Sequence, residues 1–201
     1  MIVQYLEPSL NPKQTIIALH GWTGKVGSMQ QVANAFGLPE TLWIFPQAPY
    51  PASLGGYSWF DGDKIKGWKH NASFSLIDKL IEEQFENRFE ANNIFLLGFS
   101  QGASLIMEYM IRQHFSIAGI IPIAGFIRDK KRFVEKIRPE SKNSRVLLIH
   151  GKNDPVIYHS ASEKAYKIFY KSGYKVELKT LHCKHKVPME AKPLIEKFLT
   201  S

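Results

Sequence analysis

The chain has little that would mark a secreted, membrane-spanning or repetitive protein. Cys183 is its one cysteine, so no intrachain disulfide can form, as is usual in a reducing compartment. No apolar run approaches the roughly 20 residues that cross a bilayer. The opening Met1–Tyr5 lacks the basic and apolar segments of a signal peptide. There is no internal repeat, and we expect residues 1–201 to form a single domain in the cytoplasm.

Acidic residues are scarcer than basic ones: 18 Asp and Glu against 26 Lys and Arg give a formal net charge of +8. Much of the excess lies in 128–152. A solvated helix face and loop is the favoured interpretation of this segment, and a weak electrostatic contact with a membrane surface is the alternative. The basic residues do not alternate with aromatic ones, so we expect no nucleic-acid partner.

Short apolar runs alternate with amphipathic patterns along most of the chain. The predicted strands are Thr15–Leu19, Thr41–Phe45, Asn93–Leu97, Ile117–Ile123, Arg145–Ile149 and Lys175–Leu181. The predicted helices are Ser28–Phe36, Phe74–Glu90, Ala103–Arg112, Lys130–Lys136, Ser160–Lys171 and Lys192–Leu199. Ile2–Leu6 is expected to add an edge strand. The alternation predicts an α/β fold, with a mostly parallel central sheet and helices on both faces.

One segment, 46–71, departs from this alternation and is rich in Pro, Gly and aromatic residues. A loop of this length within a domain is usually functional or disordered, and its aromatic side chains argue against disorder. We interpret it as a folded wall beside the active site. A satellite hydrophobic cluster that pins the loop is the alternative.

The motif G-x-S-x-G occupies Gly98–Gly102, directly after the apolar run Ile94–Leu97 and before a helical pattern. A strand, a sharp turn flanked by glycines and a helix form the context in which this motif presents a nucleophilic serine. Ser100 is therefore the candidate nucleophile. The alternative is a glycine-rich turn in which Ser100 only caps the helix.

A serine nucleophile needs a base, and the base needs an orienting acid. In α/β hydrolases these follow the serine in the order acid, then histidine. Asp154 follows the strand Arg145–Ile149 and is the candidate acid, with Asp129 a weaker rival. His185 lies on the loop before the last helix and is the candidate base, with His182 as its rival.

The tetrahedral intermediate of acyl transfer also needs two backbone donors for its oxyanion. One should be the amide of Gln101, directly after the nucleophile. The other should come from the loop after the first parallel strand, where Gly21 lets the amide of Trp22 face the site. Both roles belong to the main chain.

Taken together, these motifs resemble the phospholipase/carboxylesterase family of α/β hydrolases, which includes the acyl-protein thioesterases. The matching segments, in order, are Ile17–Gly24, Phe45–Pro49, Trp59–Asp61, Gly98–Gly102, His150–Val156 and His185–Pro188. The resemblance implies that Ser100, Asp154 and His185 form the catalytic triad and that Trp22 and Gln101 form the oxyanion hole. It also implies no metal, no organic cofactor and no large cap domain.

We expect a serine carboxylesterase that cleaves short- to medium-chain carboxylic esters through an acyl-enzyme. The residues expected to contact the substrate are Tyr57, Trp59, Phe60, Val187, Pro188 and Met189. A lysophospholipase or an acyl-protein thioesterase is the alternative, so the partner is a small acyl ester or thioester. A binding module without turnover is a third, weaker hypothesis. The sequence leaves monomer and homodimer open.

Overall fold

The computed structural model describes residues 2–63, 67–87 and 89–201. Its strands are β1 (Val3–Leu6), β2 (Gln14–Leu19), β3 (Thr41–Pro46), β4 (Tyr50–Pro51), β5 (Tyr57–Ser58), β6 (Asp61–Asp63), β7 (Gly67–Lys69), β8 (Ile94–Phe99), β9 (Gly119–Ile123), β10 (Arg145–Gly151) and β11 (Val176–Leu181). Its helices are α1 (Ser28–Phe36), α2 (Asn71–Asn87), α3 (Gln101–Met110), α4 (Lys130–Glu135), α5 (Ser160–Lys171) and α6 (Lys192–Thr200). Short 3-10 helices occupy Ala91–Asn93, Glu140–Asn143 and Met189–Ala191.

A seven-stranded sheet with the order β1-β3-β2-β8-β9-β10-β11 forms the centre of the molecule. β1 pairs antiparallel with β3 at one edge, whereas the other neighbours in the sheet pair in parallel. The expected mostly parallel sheet and the edge strand at the start of the chain are therefore confirmed. Since parallel strands end at the same edge, the loops after β2, β8, β10 and β11 meet there.

Side chains alternate between the two faces of the sheet and build a separate core on each. Ile17 and Ile44 belong to one core together with residues of α2, α3 and α5, whereas Ile16 and Trp43 belong to the other together with residues of α1 and α6. The strands read as continuous apolar runs because helices cover both faces of the sheet. No helix within the described ranges is long and apolar enough to cross a membrane.

Some predicted boundaries were wrong. The helix predicted at Phe74–Glu90 begins at Asn71, because the amide of Phe74 already donates to the His70 carbonyl. Its described part ends at Asn87, and Phe89 and Glu90 lie outside it. The helix predicted at Ala103–Arg112 spans Gln101–Met110, since the turn at Ser100 leads directly into it.

Segment 46–71 is folded into two small antiparallel hairpins, β4–β5 and β6–β7. Residues 64–66 of this segment lie outside the described ranges. The amide of Thr23 donates to the Tyr57 carbonyl at 3.0 Å, and the Tyr57 amide donates to the Gly24 carbonyl at 3.1 Å. These bonds hold the first hairpin against the loop that follows β2, at the edge where the parallel strands end.

Candidate active site

Ser100 lies at the sharp turn between β8 and α3. Its backbone is strained, with φ of 54° and ψ of −111°. A Cβ at Gly98 would lie 2.5 Å from the Gly102 carbonyl, and one at Gly102 would lie 2.5 Å from the Leu19 carbonyl oxygen. β8, α3 and the end of β2 therefore approach one another so closely that only glycine fits at positions 98 and 102. The turn lifts the Ser100 side chain above the carboxyl edge of the sheet.

Three side chains from three different loops form one hydrogen-bonded chain at this edge. The Ser100 Oγ lies 3.0 Å from His185 Nε2, and His185 Nδ1 lies 2.7 Å from Asp154 Oδ2. His185 follows β11 and Asp154 follows β10. With Nδ1–H donating to the carboxylate, Nε2 carries the lone pair that accepts the serine proton. This arrangement can activate a hydroxyl as a nucleophile.

The Asp154 carboxylate is fixed on both of its oxygens. Oδ1 accepts the amides of Val156 at 2.8 Å and Ile157 at 2.9 Å, while Oδ2 faces His185. Burial by itself raises the pKa of Asp154, but the hydrogen bonds from His185 and from the two amides outweigh it and lower that pKa below its usual value. The carboxylate is therefore charged at neutral pH and holds the imidazole in one tautomer.

The two rival residues lie elsewhere. The Asp129 side chain is exposed and caps α4 by accepting the Arg132 amide at 3.0 Å. His182 is exposed after the end of β11. Within the described ranges, the structure thus brings together Ser100, Asp154 and His185 and leaves both rivals outside this chain of hydrogen bonds.

The two amides proposed as oxyanion donors flank the serine. Gln101 is the first residue of α3, and Trp22 lies on the loop after β2. Within the described ranges, no hydrogen bond uses the amide N–H of either residue. Trp22 as a whole is 45% exposed to solvent. The N-terminus of α3 and the free amide of Trp22 could both stabilise a negative charge that develops on the carbonyl oxygen of a substrate.

A buried histidine supports the loop that carries Trp22. His20 donates from Nδ1 to the Gly21 carbonyl at 2.7 Å, and its Nε2 accepts from Gln47 and from the Ala48 amide. Burial lowers the pKa of His20, against a smaller opposing effect of its bond to Gly21. His20 is therefore neutral, and its two ring nitrogens join the loop to the segment after β3.

The second buried histidine, His150, supports the acid loop in a similar way. Its Nε2 donates to the Ile157 carbonyl at 2.8 Å, and its Nδ1 accepts from the Ser162 hydroxyl at 2.6 Å. Burial is the main cause that lowers the pKa of His150, despite the Ile157 carbonyl and Asp154, whose Oδ2 lies 3.3 Å away. His20 and His150 therefore both hold backbone segments of the site in place.

The side chain of Gln101 has a positioning role that sequence reasoning missed. Its Oε1 accepts the Trp59 amide at 2.9 Å, and its Nε2 donates to the Ser58 hydroxyl at 3.0 Å. These bonds connect the helix after the nucleophile to the first hairpin. In the sequence, the only indication of this role was that a polar residue directly follows the serine of the motif.

A cleft of about 610 Å³ opens beside Ser100. Its described lining is largely apolar and aromatic, with a few polar groups, and includes Trp22, Ser58, Phe60, Asp61, Trp68, Ser100, Gln101, Phe126, Arg128, Val156 and Ile157. A cleft of this size and character is typical of a site for a small organic ligand. Within the described ranges, no cluster of three or more His, Cys, Asp or Glu side chains could hold a metal ion.

Of the six residues expected to contact the substrate, Phe60 lines the cleft. Trp59 is fully buried, and its indole N–H donates to the His20 carbonyl at 2.7 Å. Tyr57 is half-buried and pairs with Gly24. The other three lie on the loop after His185 and outside the described lining: Val187 half-buried, Pro188 buried and Met189 exposed.

Comparison with known proteins identifies the family. A family model described as Phospholipase/Carboxylesterase matches residues 3–201. The chain belongs to this family. An acyl-protein thioesterase 1 homolog 2 of Dictyostelium discoideum is 30% identical to it over 176 residues, which cover 80% of this chain and 79% of that protein. A probable carboxylesterase of Oryza sativa subsp. japonica is 26% identical, over 82% of this chain and 68% of its own length.

The α/β-hydrolase fold of this chain is also present in solved structures. The crystal structure of Arabidopsis thaliana SOBER1 superimposes with a TM-score of 0.82 at 20% identity, and the match covers 93% of this chain and 97% of that one. At this identity the likeness shows the α/β-hydrolase fold and no more. As a member of the phospholipase/carboxylesterase family, the chain is a carboxylic ester hydrolase.

Proposed function

We propose that the protein is a serine carboxylesterase that cleaves short- to medium-chain carboxylic esters through an acyl-enzyme. The observation that carries the proposal is the unbroken chain from Ser100 through His185 to Asp154, which opens on a cleft of about 610 Å³. In this proposal residues 1–201 act as one catalytic domain. The family supports the general activity, and the geometry supports the residue roles.

In the acylation step, the Ser100 hydroxyl attacks the ester carbonyl while its proton passes to His185 Nε2. The carbonyl oxygen becomes an oxyanion, and the amides of Trp22 and Gln101 donate to it. The carboxylate of Asp154 stabilises the positive charge that forms on the imidazole. The bond to the alcohol oxygen then breaks, His185 returns the proton to that oxygen, and the acyl group remains on Ser100.

Deacylation repeats these steps with water. His185 takes a proton from a water molecule, whose oxygen attacks the acyl carbon and forms a second oxyanion at the same two amides. The bond to Ser100 Oγ breaks, and the proton on His185 returns to that oxygen. The products are the carboxylic acid and the free enzyme, so the cycle consumes one water for each ester.

The cleft supports a small acyl group. Phe60, Phe126 and Ile157 provide apolar contacts within a volume that suits a small organic ligand. One of the apolar lining residues, Val156, is 61% exposed, so this part of the cleft would cover an acyl chain only partly. Burial of each added methylene stabilises binding by about 0.8 kcal/mol only where the cleft covers it.

An acyl-protein thioesterase or lysophospholipase is the second candidate, and one feature favours it. A neighbouring cavity of about 300 Å³ shares Phe126, Val156 and Ile157 with the main cleft. The two cavities are thus adjacent, and a longer acyl chain that leaves the main cleft could extend into the second one. The thioesterase name of the Dictyostelium discoideum relative points in the same direction.

The test is kcat/KM for p-nitrophenyl esters from acetyl to palmitoyl, with wild type, Ser100→Ala and Ser75→Ala. Ser75 is an exposed serine on α2 and provides the matched control. A maximum at short or medium chains that disappears in Ser100→Ala, but persists in Ser75→Ala, supports the esterase. A maximum at long chains favours the second candidate. Equal rates in wild type and Ser100→Ala would refute both.

A further inference from the structure

One cation of the cleft has no obvious role in the proposed chemistry. The guanidinium carbon of Arg128 lies 3.9 Å from the ring centroid of Phe60 and 4.1 Å from that of Trp68. All three residues line the same cleft as Ser100. The two aromatic rings hold the guanidinium by cation–π contacts, which fix its position without using its N–H donors.

Within the described ranges, the buried Nη1 of the Arg128 guanidinium makes no hydrogen bond. The neighbouring carboxylates are already engaged. Glu108 pairs with Arg112 at 2.6 Å, and Asp129 accepts the Arg132 amide at 3.0 Å. The guanidinium is therefore held in place while its hydrogen-bonding capacity is left open.

Arg128 is half-buried, and partial burial of a cation without a partner is costly for a folded protein. Burial lowers the pKa of Arg128 to about 10, and Glu108 offsets only part of this effect. The group is thus still positively charged at neutral pH, although its surroundings disfavour the charge. In proteins, planar guanidinium groups in such positions commonly bind carboxylate or phosphate oxygens through two parallel hydrogen bonds.

We propose that Arg128 binds an anionic oxygen group, a carboxylate or a phosphate, carried by the ester substrate. The inference deepens the proposed function and rests on it, because it assigns the substrate class of the same cleft. Only one acidic residue, Asp61, is in the described lining, and it is exposed to solvent. The cleft therefore offers an anionic substrate the guanidinium of the half-buried Arg128, on a wall that is otherwise mainly aromatic and apolar.

Two pairs of isosteric esters test this proposal. The first pair places the charge on the acyl side: p-nitrophenyl hemisuccinate and p-nitrophenyl isocaproate. The second places it on the alcohol side: p-carboxyphenyl acetate and p-isopropylphenyl acetate. For each pair the measured quantity is the ratio of kcat/KM for the anionic ester to that for its neutral isostere. Comparison of this ratio between enzymes cancels the intrinsic reactivity of the esters.

The enzymes are wild type, Arg128→Met, Arg128→Lys and Arg132→Met. Arg132 is exposed on α4 and lies outside the described lining of this cleft, so its substitution removes the same net charge without removing the contact. We expect Arg128→Met to lower the ratio by about 10- to 100-fold in at least one pair, the effect of a lost charge-assisted hydrogen bond. Arg128→Lys should retain part of the ratio, and Arg132→Met should retain it fully.

A ratio equal in wild type and Arg128→Met for both pairs overturns the proposal. So does an equal fall in Arg132→Met, since the effect would then come from net charge alone. The pair that responds identifies the side of the ester that bears the anion. Replacement of the carboxylate in that pair by a phosphate distinguishes the two anions.

Binding measurements keep this test independent of turnover. Ser100→Ala should bind hemisuccinate esters more tightly than their neutral isosteres by calorimetry, and Ser100→Ala/Arg128→Met should lose that preference. The absence of hydrolysis in wild type, with the binding preference intact, would refute the proposed esterase but support anion recognition. Hydrolysis of neutral esters, with no preference in either assay, would refute only the role of Arg128.

Discussion

Replacement of Asp154 by Asn should nearly abolish turnover while leaving the fold intact. Oδ1 accepts two backbone amides at 2.8 and 2.9 Å. In Asp154→Asn the amide oxygen must occupy that position, because an NH2 group there would face two N–H donors. The NH2 group is then directed at His185 Nδ1, which lies 2.7 Å from the present Oδ2.

This orientation selects the wrong tautomer of His185. Nδ1 must accept from the new amide, so the ring proton moves to Nε2, which lies 3.0 Å from Ser100 Oγ. A protonated Nε2 cannot take the serine proton. The same substitution in a serine protease triad lowers kcat by about 10⁴, which corresponds to about 5 kcal/mol of transition-state stabilisation. We expect a loss of this order for p-nitrophenyl butyrate.

The control is Asp129→Asn, which removes the same charge from the rival carboxylate. Asparagine caps a helix as well as aspartate, so this variant should keep a kcat close to that of wild type. Circular dichroism and the thermal midpoint show whether each variant is folded. A folded Asp154→Asn enzyme whose kcat stays within about tenfold of wild type, against the loss of about 10⁴ expected, would refute the tautomer argument.

Three further predictions follow from other parts of the site. Ser100→Ala and His185→Ala should each lower kcat by about 10⁶ and the double variant by no more, because the two act as one unit; multiplicative losses would contradict this. Gln101→Leu leaves the buried Trp59 amide without its acceptor, so urea denaturation should show about 1–3 kcal/mol less stability, and an unchanged midpoint would exclude the contact. Burial lowers the pKa of His150 below 6.5 in the folded state. The contribution of the neutral side chain to the stability of the fold is therefore complete above pH 6.5 and is lost as the pH falls through the pKa of the folded state. The free energy of unfolding then changes by at most about 1.4 kcal/mol per pH unit. Urea titrations at several pH values should show a smaller pH dependence of this free energy in His150→Gln than in wild type, and an equal pH dependence would refute the argument.

Local patterns predicted most of the fold. The helices Ser28–Phe36 and Ser160–Lys171 have the expected bounds, since their apolar periodicity and flanking residues are local signals. The order of Ser100, Asp154 and His185 along the chain, together with their places in the loops after predicted strands, selected the three side chains that the structure joins. Each lies on the turn or loop that follows a strand, and parallel strands end at one edge of the sheet.

Contacts between distant segments could not be predicted in this way. Trp59 was expected to contact substrate, but its indole is fully buried against His20. Arg128 was interpreted as part of a solvated basic segment, whereas it lies between Phe60 and Trp68. The position of Arg128 depends on how segment 46–71 packs over the end of β9. The residue pattern of segment 46–71 does not indicate that packing, and neither does the pattern of the residues that follow β9.

The central claim is that Ser100 carries the acyl group during turnover. Wild type and Ser100→Ala would be mixed with p-nitrophenyl butyrate, quenched in acid during steady state, digested and analysed by peptide mass spectrometry. We predict one butyryl group on the peptide that contains Ser100 in wild type, located on that serine by fragmentation, and none in Ser100→Ala. A butyryl group on another residue that persists in Ser100→Ala, together with retained hydrolysis, would contradict the account.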